Sequence, residues 1–171
     1  MMNYESTFKE LGFDEFKAIK IDDIIFSHDV FNQCARNTCG NFGKNHACPP
    51  KSGTEKDGKQ RVLNFNNAYL LNKIIPITTG EEMLASLETV SVLNNNLREA
   101  FNSENVMVMG AGPCTVCKTC AALDGKPCRF PDKTQYSMEG SGIDVVSMSI
   151  KQKMTYNAGA GKVGYFTLFL Y

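Results

Sequence analysis

The chain has 171 residues and a formal net charge of zero, and 43% of its residues are hydrophobic. This length fits one domain, residues 1–171, and the composition is typical of a folded protein rather than a disordered one. No segment approaches the ~20 apolar residues that a membrane-spanning helix needs. The first residues also lack the basic and apolar stretches of a signal peptide. We therefore expect a cytoplasmic protein that does not contact a membrane.

The first half of the chain predicts one short helix and two strands. Residues 6–11 predict a helix with Ser6 as its N-cap. Residues 19–26 are rich in isoleucine and predict a strand. Residues 67–78 contain two apolar runs and predict a second strand, with Pro76 near its end or on a sheet edge.

The clearest predicted element is a helix over residues 80–101. Thr79 followed by Glu82 forms a capping box at its start. Apolar residues recur at spacings of three and four and predict one buried stripe, made of Met83, Leu84, Leu87, Val90, Leu93, Leu97, Ala100 and Phe101. A short strand over residues 105–111 follows, with an apolar run at 106–109. This strand–helix–strand order predicts a right-handed βαβ unit with parallel strands.

The last part of the chain predicts a helix over residues 141–152, capped by Ser141, and a strand over residues 163–171. The expected fold is α/β (α+β), with a single layer of helices on a small mixed sheet that contains the βαβ unit. Two cysteine-rich metal-binding loops would lie at one end of this sheet. The position of Tyr171 at the end of the last strand suggests that a sheet edge could pair with a second copy, giving a homodimer.

Seven cysteines fall into two groups, and residues 49–113 between them contain none. Disulfides are rare in the cytoplasm, and an odd number of cysteines cannot pair completely within one chain. Clustering in two loop-like segments is typical of metal ligation. The first cysteine group is Cys34, Cys39 and Cys48, and the second cysteine group is Cys114, Cys117, Cys120 and Cys128.

Positive charge accompanies both groups. Residues 34–61 contain six Lys or Arg and two Asp or Glu, and residues 114–133 contain four Lys or Arg and two Asp or Glu. Residues 1–33, in contrast, contain three Lys or Arg and seven Asp or Glu. Thiolates and a bound cluster are anionic, so nearby cations would stabilise them. A solvated basic loop would explain the same pattern. We do not expect a nucleic-acid partner, because the basic segments lack interleaved aromatic residues.

The second group has the spacing C-x2-C-x2-C directly after a predicted strand, and Cys128 lies close to Pro131. Ferredoxin-like [4Fe–4S] sites use this core spacing, often with a last cysteine near a proline. Zinc sites usually use two separated C-x2-C pairs, so the triple spacing favours an iron–sulfur cluster over zinc.

The first group is one ligand short of a full set. Its fourth ligand could be His46, a cysteine crossing from the second group or an exogenous group, although His46 is better explained as a hydrogen-bonding loop residue. A cluster with an open iron could bind substrate. The sequence contains no Ser-His-Asp order, HExxH motif or P-loop. Whether the protein is an enzyme therefore stays open.

Three functions fit these features. The leading one is a [4Fe–4S] protein, with one or two clusters, that passes single electrons to a redox partner protein. The second is an enzyme, or a protein that matures another metallocentre, which uses an open-site cluster for sulfur transfer or redox chemistry. The third is a zinc-stapled interaction module without chemistry.

The motifs together resemble a family of cysteine-rich, predicted metal-binding proteins of unknown function, found mainly in anaerobic bacteria and archaea. The matching segments are residues 34–50, 112–120, 128–131 and 137–145. The resemblance covers nearly the whole chain. It implies that all seven cysteines are ligands, and that residues 137–145 pack the following helix against the cluster loop. It implies no particular reaction.

Overall fold

The computed structural model describes residues 3–171, which form five α-helices and four β-strands. In chain order these are α1 (Tyr4–Leu11), β1 (Glu15–Lys20), α2 (His28–Gln33), α3 (Glu55–Leu63), β2 (Asn67–Pro76), α4 (Gly80–Ala100), β3 (Met107–Met109), α5 (Val145–Lys151) and β4 (Lys162–Leu170). Within residues 3–171, no helix combines the length and the apolar character that crossing a membrane requires.

The four strands form one sheet in the order β1-β2-β4-β3, and every neighbouring pair is antiparallel. The predicted α+β class is confirmed. The prediction of a mixed sheet was wrong. Strands β2 and β3 do run in the same direction, but they are not neighbours, because β4 lies between them and is antiparallel to both. Nine residue pairs join β2 to β4, so the long apolar last strand occupies the place beside β2. The sheet edges are β1 and β3, whereas Tyr171 extends an internal strand and bonds to Asn67.

Helices cover both faces of the sheet, which corrects the predicted single layer. On β2, Leu70 and Leu71 are both completely buried although successive side chains point to opposite faces. Leu70 packs in a cluster with Val62 of α3 and Met148 of α5. Leu71 packs in a second cluster that contains residues of α1 and α4. Because the central strands are apolar on both sides, each face needs its own cover.

The long helix α4 confirms the predicted capping box, since the Thr79 hydroxyl accepts from the Glu82 backbone N–H and the Glu82 carboxylate accepts from the Thr79 N–H. Only part of its predicted apolar stripe is buried. Leu97 is completely buried, whereas Leu84 and Leu87 are 70% and 50% exposed. The difference arises because the helix meets α1 and β3, and the stripe is buried only where it faces those elements.

Three predicted boundaries were wrong. The strand expected over residues 19–26 ends at Lys20, because residues 21–23 form a 3₁₀ turn in which the Asp23 carboxylate accepts from the Lys20 N–H. Helix α5 begins after Asp144 rather than Ser141. Helix α1 is capped by Asn3 instead of Ser6. Helices α2 and α3 were not predicted.

Residues 138–142 bond to the end of β3 and to the start of α2. These bonds bring the two cysteine groups to the same part of the molecule. The Met138 backbone N–H donates to the Gly110 carbonyl at 2.9 Å. The Ser27 N–H donates to the Gly142 carbonyl at 2.7 Å, which ties the start of α2 to the segment before α5. The loops that carry the first and second groups therefore flank residues 137–144.

Candidate metal centre

The four cysteines of the second group line one small pocket that is partly open to solvent. All four side chains are half-buried and free of disulfides. The other lining residues are Asn45, His46, Val116, Phe130 and Thr134. The three cysteines of the C-x2-C-x2-C spacing and the more distant Cys128 thus line the same pocket.

One wall of this pocket comes from the first cysteine segment. The buried Asn45 side chain donates to the Cys114 carbonyl at 3.1 Å. The backbone N–H of His46 donates to Cys120 Sγ at 3.4 Å. His46 Nε2 donates to the Lys126 carbonyl at 2.8 Å, so a neutral ring has its free lone pair on Nδ1. The segment around His46 is therefore bound to the second group by side-chain and backbone contacts.

Cys48 is the first-group cysteine whose thiol is affected by thiols of both groups. Burial, and then the neighbouring thiols of both groups, raise the pKa of Cys48 to about 11. Burial also raises the pKa of Cys34, followed by the nearby Glu139 carboxyl and the Cys39 thiol. Cys39 itself is exposed. Metal binding at these positions would have to displace thiol protons, because thiolate is the ligating form.

The sulfur atoms share a neighbourhood without forming a closed coordination shell. Within residues 3–171, no three Cys, His, Asp or Glu side chains converge tightly enough to hold one metal ion. The donor type is nevertheless selective, since thiolates suit zinc and iron–sulfur clusters whereas calcium and magnesium need oxygen ligands. The sulfur-lined pocket therefore fits a thiolate-bound metal group.

A hydrogen-bond network joins the second group to helix α4. The Gln135 side chain accepts from the Thr115 N–H at 3.1 Å and donates to Asn95 Oδ1 at 2.8 Å. The Arg98 guanidinium donates to the same Asn95 oxygen at 3.1 Å and to the Val108 carbonyl at 2.9 Å. The backbone just after Cys114 is thus fixed to the C-terminal part of α4.

The positive charge of Arg98 belongs to the same network. Burial lowers the pKa of Arg98 to about 10, and the Cys114 sulfur acts in the opposite direction. None of the three ion pairs within residues 3–171 involves Arg98. Sequence reasoning missed this residue and Asn45, because nothing in local spacing shows that Asn45 bonds to Cys114 or that Arg98 is linked to Thr115 through Asn95 and Gln135.

A family model described as "Predicted metal-binding protein (DUF2284)" matches residues 17–171, a range that includes both cysteine groups. The chain belongs to this family. Membership in the DUF2284 family confirms the predicted relationship to uncharacterised metal-binding proteins and supports a metal cofactor in general. Comparisons with curated proteins and with solved structures find no match.

Proposed function

We propose that this DUF2284 protein binds a [4Fe–4S] cluster through Cys114, Cys117, Cys120 and Cys128 and transfers single electrons to a redox partner protein. The observation that carries the proposal is the single pocket lined by all four of these cysteines. When bound, a [4Fe–4S] cluster supplies reversible one-electron transfer.

The residues around the pocket have defined roles in this proposal. The His46 backbone N–H donates to Cys120 Sγ, and hydrogen bonds to cluster sulfurs raise the reduction potential. The positive charge of Arg98, which is linked through Asn95 and Gln135 to the backbone just after Cys114, would favour additional negative charge on the cluster. The His46 N–H and the Arg98 guanidinium would thus both stabilise the reduced, more anionic state of the cluster.

The outer side of the pocket suits a protein partner of opposite charge. Phe130 lines the pocket and is 48% exposed, so an apolar contact is available at its mouth. Lys118, Lys126 and Arg129 in the same segment are exposed. An acidic redox partner would be attracted by these cations and could approach the sulfur atoms closely.

The proposal is tested by an EPR-monitored titration with dithionite on protein purified without oxygen. We expect a signal that appears on reduction, disappears on reoxidation and is lost in Cys117→Ser. Asp124→Asn, which changes an exposed residue of the same segment, is the matched control and should keep the signal. A centre that stays redox-silent down to strongly reducing potentials would contradict electron transfer.

A further inference from the structure

Helix α4 turns polar side chains towards the sheet. The Ser86 hydroxyl lies 2.6 Å from the Tyr165 hydroxyl of β4, and Ser86 is 2% exposed. About two turns further along, Asn94 Oδ1 accepts from the Thr167 hydroxyl at 2.7 Å, and both residues are buried. Because buried polar groups need such partners, part of the contact between this helix and β4 is polar.

The same helix leaves apolar side chains on its outside. Leu84 is 70% exposed and Leu87 is 50% exposed, and their spacing of three places them on one face. Glu81 and Glu88, three residues before and four after Leu84, are also exposed and flank the leucines. We call these four residues the outer face of α4. An exposed apolar patch with a polar rim is typical of a surface that another molecule covers.

The outer face leads directly to the second cysteine group. Ser91 continues the line of Leu84 and Leu87, and its Oγ lies 3.5 Å from Thr115 Oγ1. One turn further along, the Asn95 side chain accepts from Gln135 at 2.8 Å. The chain from Thr115 to Gln135 thus begins and ends against the second half of this side of α4. A molecule that covers the outer face would therefore also reach this part of the chain.

These two neighbouring surfaces carry opposite charge. Residues 80–92 of α4 contain three Glu and no Lys or Arg. Residues 114–133, which we call the basic segment, contain four Lys or Arg, all exposed, and two Asp. The basic segment has its own exposed apolar residue, Phe130, at the pocket. The two surfaces are therefore complementary in charge, and both offer apolar contacts.

Complementary surfaces on adjoining parts of one chain suit a symmetric pair. In an isologous dimer, the outer face of each copy contacts the basic segment of the other, so both contacts form together. We infer that the protein forms a two-fold dimer in which the outer face of α4 binds the basic segment of a second copy. The contact lies on α4 rather than on a sheet edge, and it does not depend on bound metal.

This dimer goes beyond the proposed function and would affect it. Helix α4 of one copy would lie over the mouth of the pocket in the other copy, where Phe130 is exposed. A redox partner that is attracted by the same cations would compete with the second copy by mass action. Self-association would therefore control access to the pocket.

The first test is sedimentation equilibrium of the full-length protein without oxygen. A thiol reductant is included because Cys39 is exposed and could form disulfide-linked dimers. We expect the mass to approach twice that of the chain as concentration rises, with a Kd that increases at high salt.

A matched pair of variants locates the contact on α4. Leu84→Asp should raise the Kd at least about tenfold, because it places a charge in the apolar centre of the contact. Ile150→Asp changes a residue of α5 that is 66% exposed, on the opposite face of the sheet, and should leave the Kd unchanged.

A charge exchange tests which surfaces meet. One variant carries Glu81→Lys with Glu88→Lys, so that both of its surfaces are basic, and the other carries Lys118→Glu with Lys126→Glu, so that both are acidic. Each variant alone should be monomeric because like charges would face each other. An equal mixture should form a dimer that contains one copy of each, which native mass spectrometry detects. Restored association in the mixture would not arise from a merely structural effect of the substitutions.

Three results would overturn the inference. The first is a wild-type protein that stays monomeric at every concentration. The second is a dimer whose Kd is the same in Leu84→Asp and Ile150→Asp, because the contact would then lie away from α4. The third is a mixture of the two charge variants that does not associate, because the outer face would then meet a different surface of the second copy. None of these results bears on the four-cysteine cluster, which the EPR titration tests separately.

Discussion

The two cysteine groups differ in how their backbone is held. The second group is connected to distant parts of the chain, through Asn45 to Cys114, His46 to Cys120 and Gln135 to Thr115. Within the described residues, the hydrogen bonds found for residues 35–44 stay inside the segment 34–49. Cys39 is exposed in this locally bonded part.

This difference indicates two ways of building a metal site. A site whose ligands are fixed by long-range contacts is preorganised and loses little conformational entropy on binding. A site on a locally bonded loop must be ordered by the metal itself. We therefore expect the pocket of the second group to retain its shape without metal, and the turn around Cys39 to become ordered on binding.

Metal removal should produce the largest effect on stability. Because metal binding contributes to folding free energy, chelation or oxidation is expected to cost about 3 kcal/mol or more. For a chain of this size that corresponds to a fall in Tm of about 10 °C. Thermal unfolding followed by circular dichroism on loaded and chelated protein measures it. Equal Tm values for the two forms would contradict the account.

Two asparagines test this difference between the cysteine groups, one in a long-range bond to the second group and one in a local bond within the first. Asn45→Ala removes a buried side chain that donates to the Cys114 carbonyl and accepts from the Ala47 N–H, and should cost about 2 kcal/mol in metal-free protein. Asn41→Ala removes a local bond to the Cys39 carbonyl and should stay within about 0.5 kcal/mol. Urea unfolding of both variants gives the two values. Equal losses would remove the distinction between the groups.

Helix α3 supports the 3₁₀ turn formed by residues 139–141. A methyl group at Gly58 would lie 2.9 Å from Ser141 Cα, so Gly58→Ala should force this backbone apart. Overpacking typically costs 1–3 kcal/mol, and the gain in helix propensity offsets roughly 1 kcal/mol of it. We expect a net loss of about 1 kcal/mol in urea unfolding.

The matched control for this prediction is Gly80→Ala, at the first residue of α4. A methyl group at Gly80 has no neighbour within 4 Å, so this variant should be neutral or slightly stabilised. If Gly58→Ala is as stable as Gly80→Ala, α3 does not hold the turn of residues 139–141.

The smallest expected change in stability is that of a substitution at Glu15, whose carboxylate bonds to neither cysteine group. Burial alone would raise the pKa of Glu15, but hydrogen bonds from Asn72 and Thr155 outweigh it and hold the pKa below its ordinary value of 4.5. A lowered pKa stabilises the protein above pH 4.5, and this contribution is lost as pH falls through the folded-state value.

Glu15→Gln should therefore cost less than about 1 kcal/mol at pH 7, because the group is partly solvated, and nothing at low pH. Chemical unfolding at pH 7 and pH 3 measures both values. The loss should be the same with and without metal. A loss that appears only in metal-loaded protein would show that Glu15 is coupled to the metal site.

Elements with strong local signals were predictable from the sequence. Residues 67–76 and 162–170 are apolar enough to be recognised as strands, and Thr79 with Glu82 identified the start of α4. Helix α3 was missed although Thr54 and Asp57 form a capping box, because its residues are mostly polar and Gly58 interrupts them. That glycine is explained only by its contact with Ser141.

The sheet order and the surroundings of the cysteines depend on long-range contacts. The insertion of β4 between β2 and β3 follows from tertiary pairing, which local periodicity does not encode. Cysteine spacing predicted which sulfur atoms could be metal donors. It could not identify Asn45 or Arg98, because their hydrogen-bonded links to the second group form only after the chain has folded.

The central claim is that the sulfur-lined pocket of the second group holds an iron–sulfur cluster. The most direct measurement is the iron, zinc and acid-labile sulfide content of wild-type and Cys117→Ser protein purified without oxygen. We predict about four iron atoms and as much sulfide at the second group, lost in Cys117→Ser, with any metal at the first group retained. Zinc without sulfide in the wild type would contradict the claim and leave a zinc-stapled module.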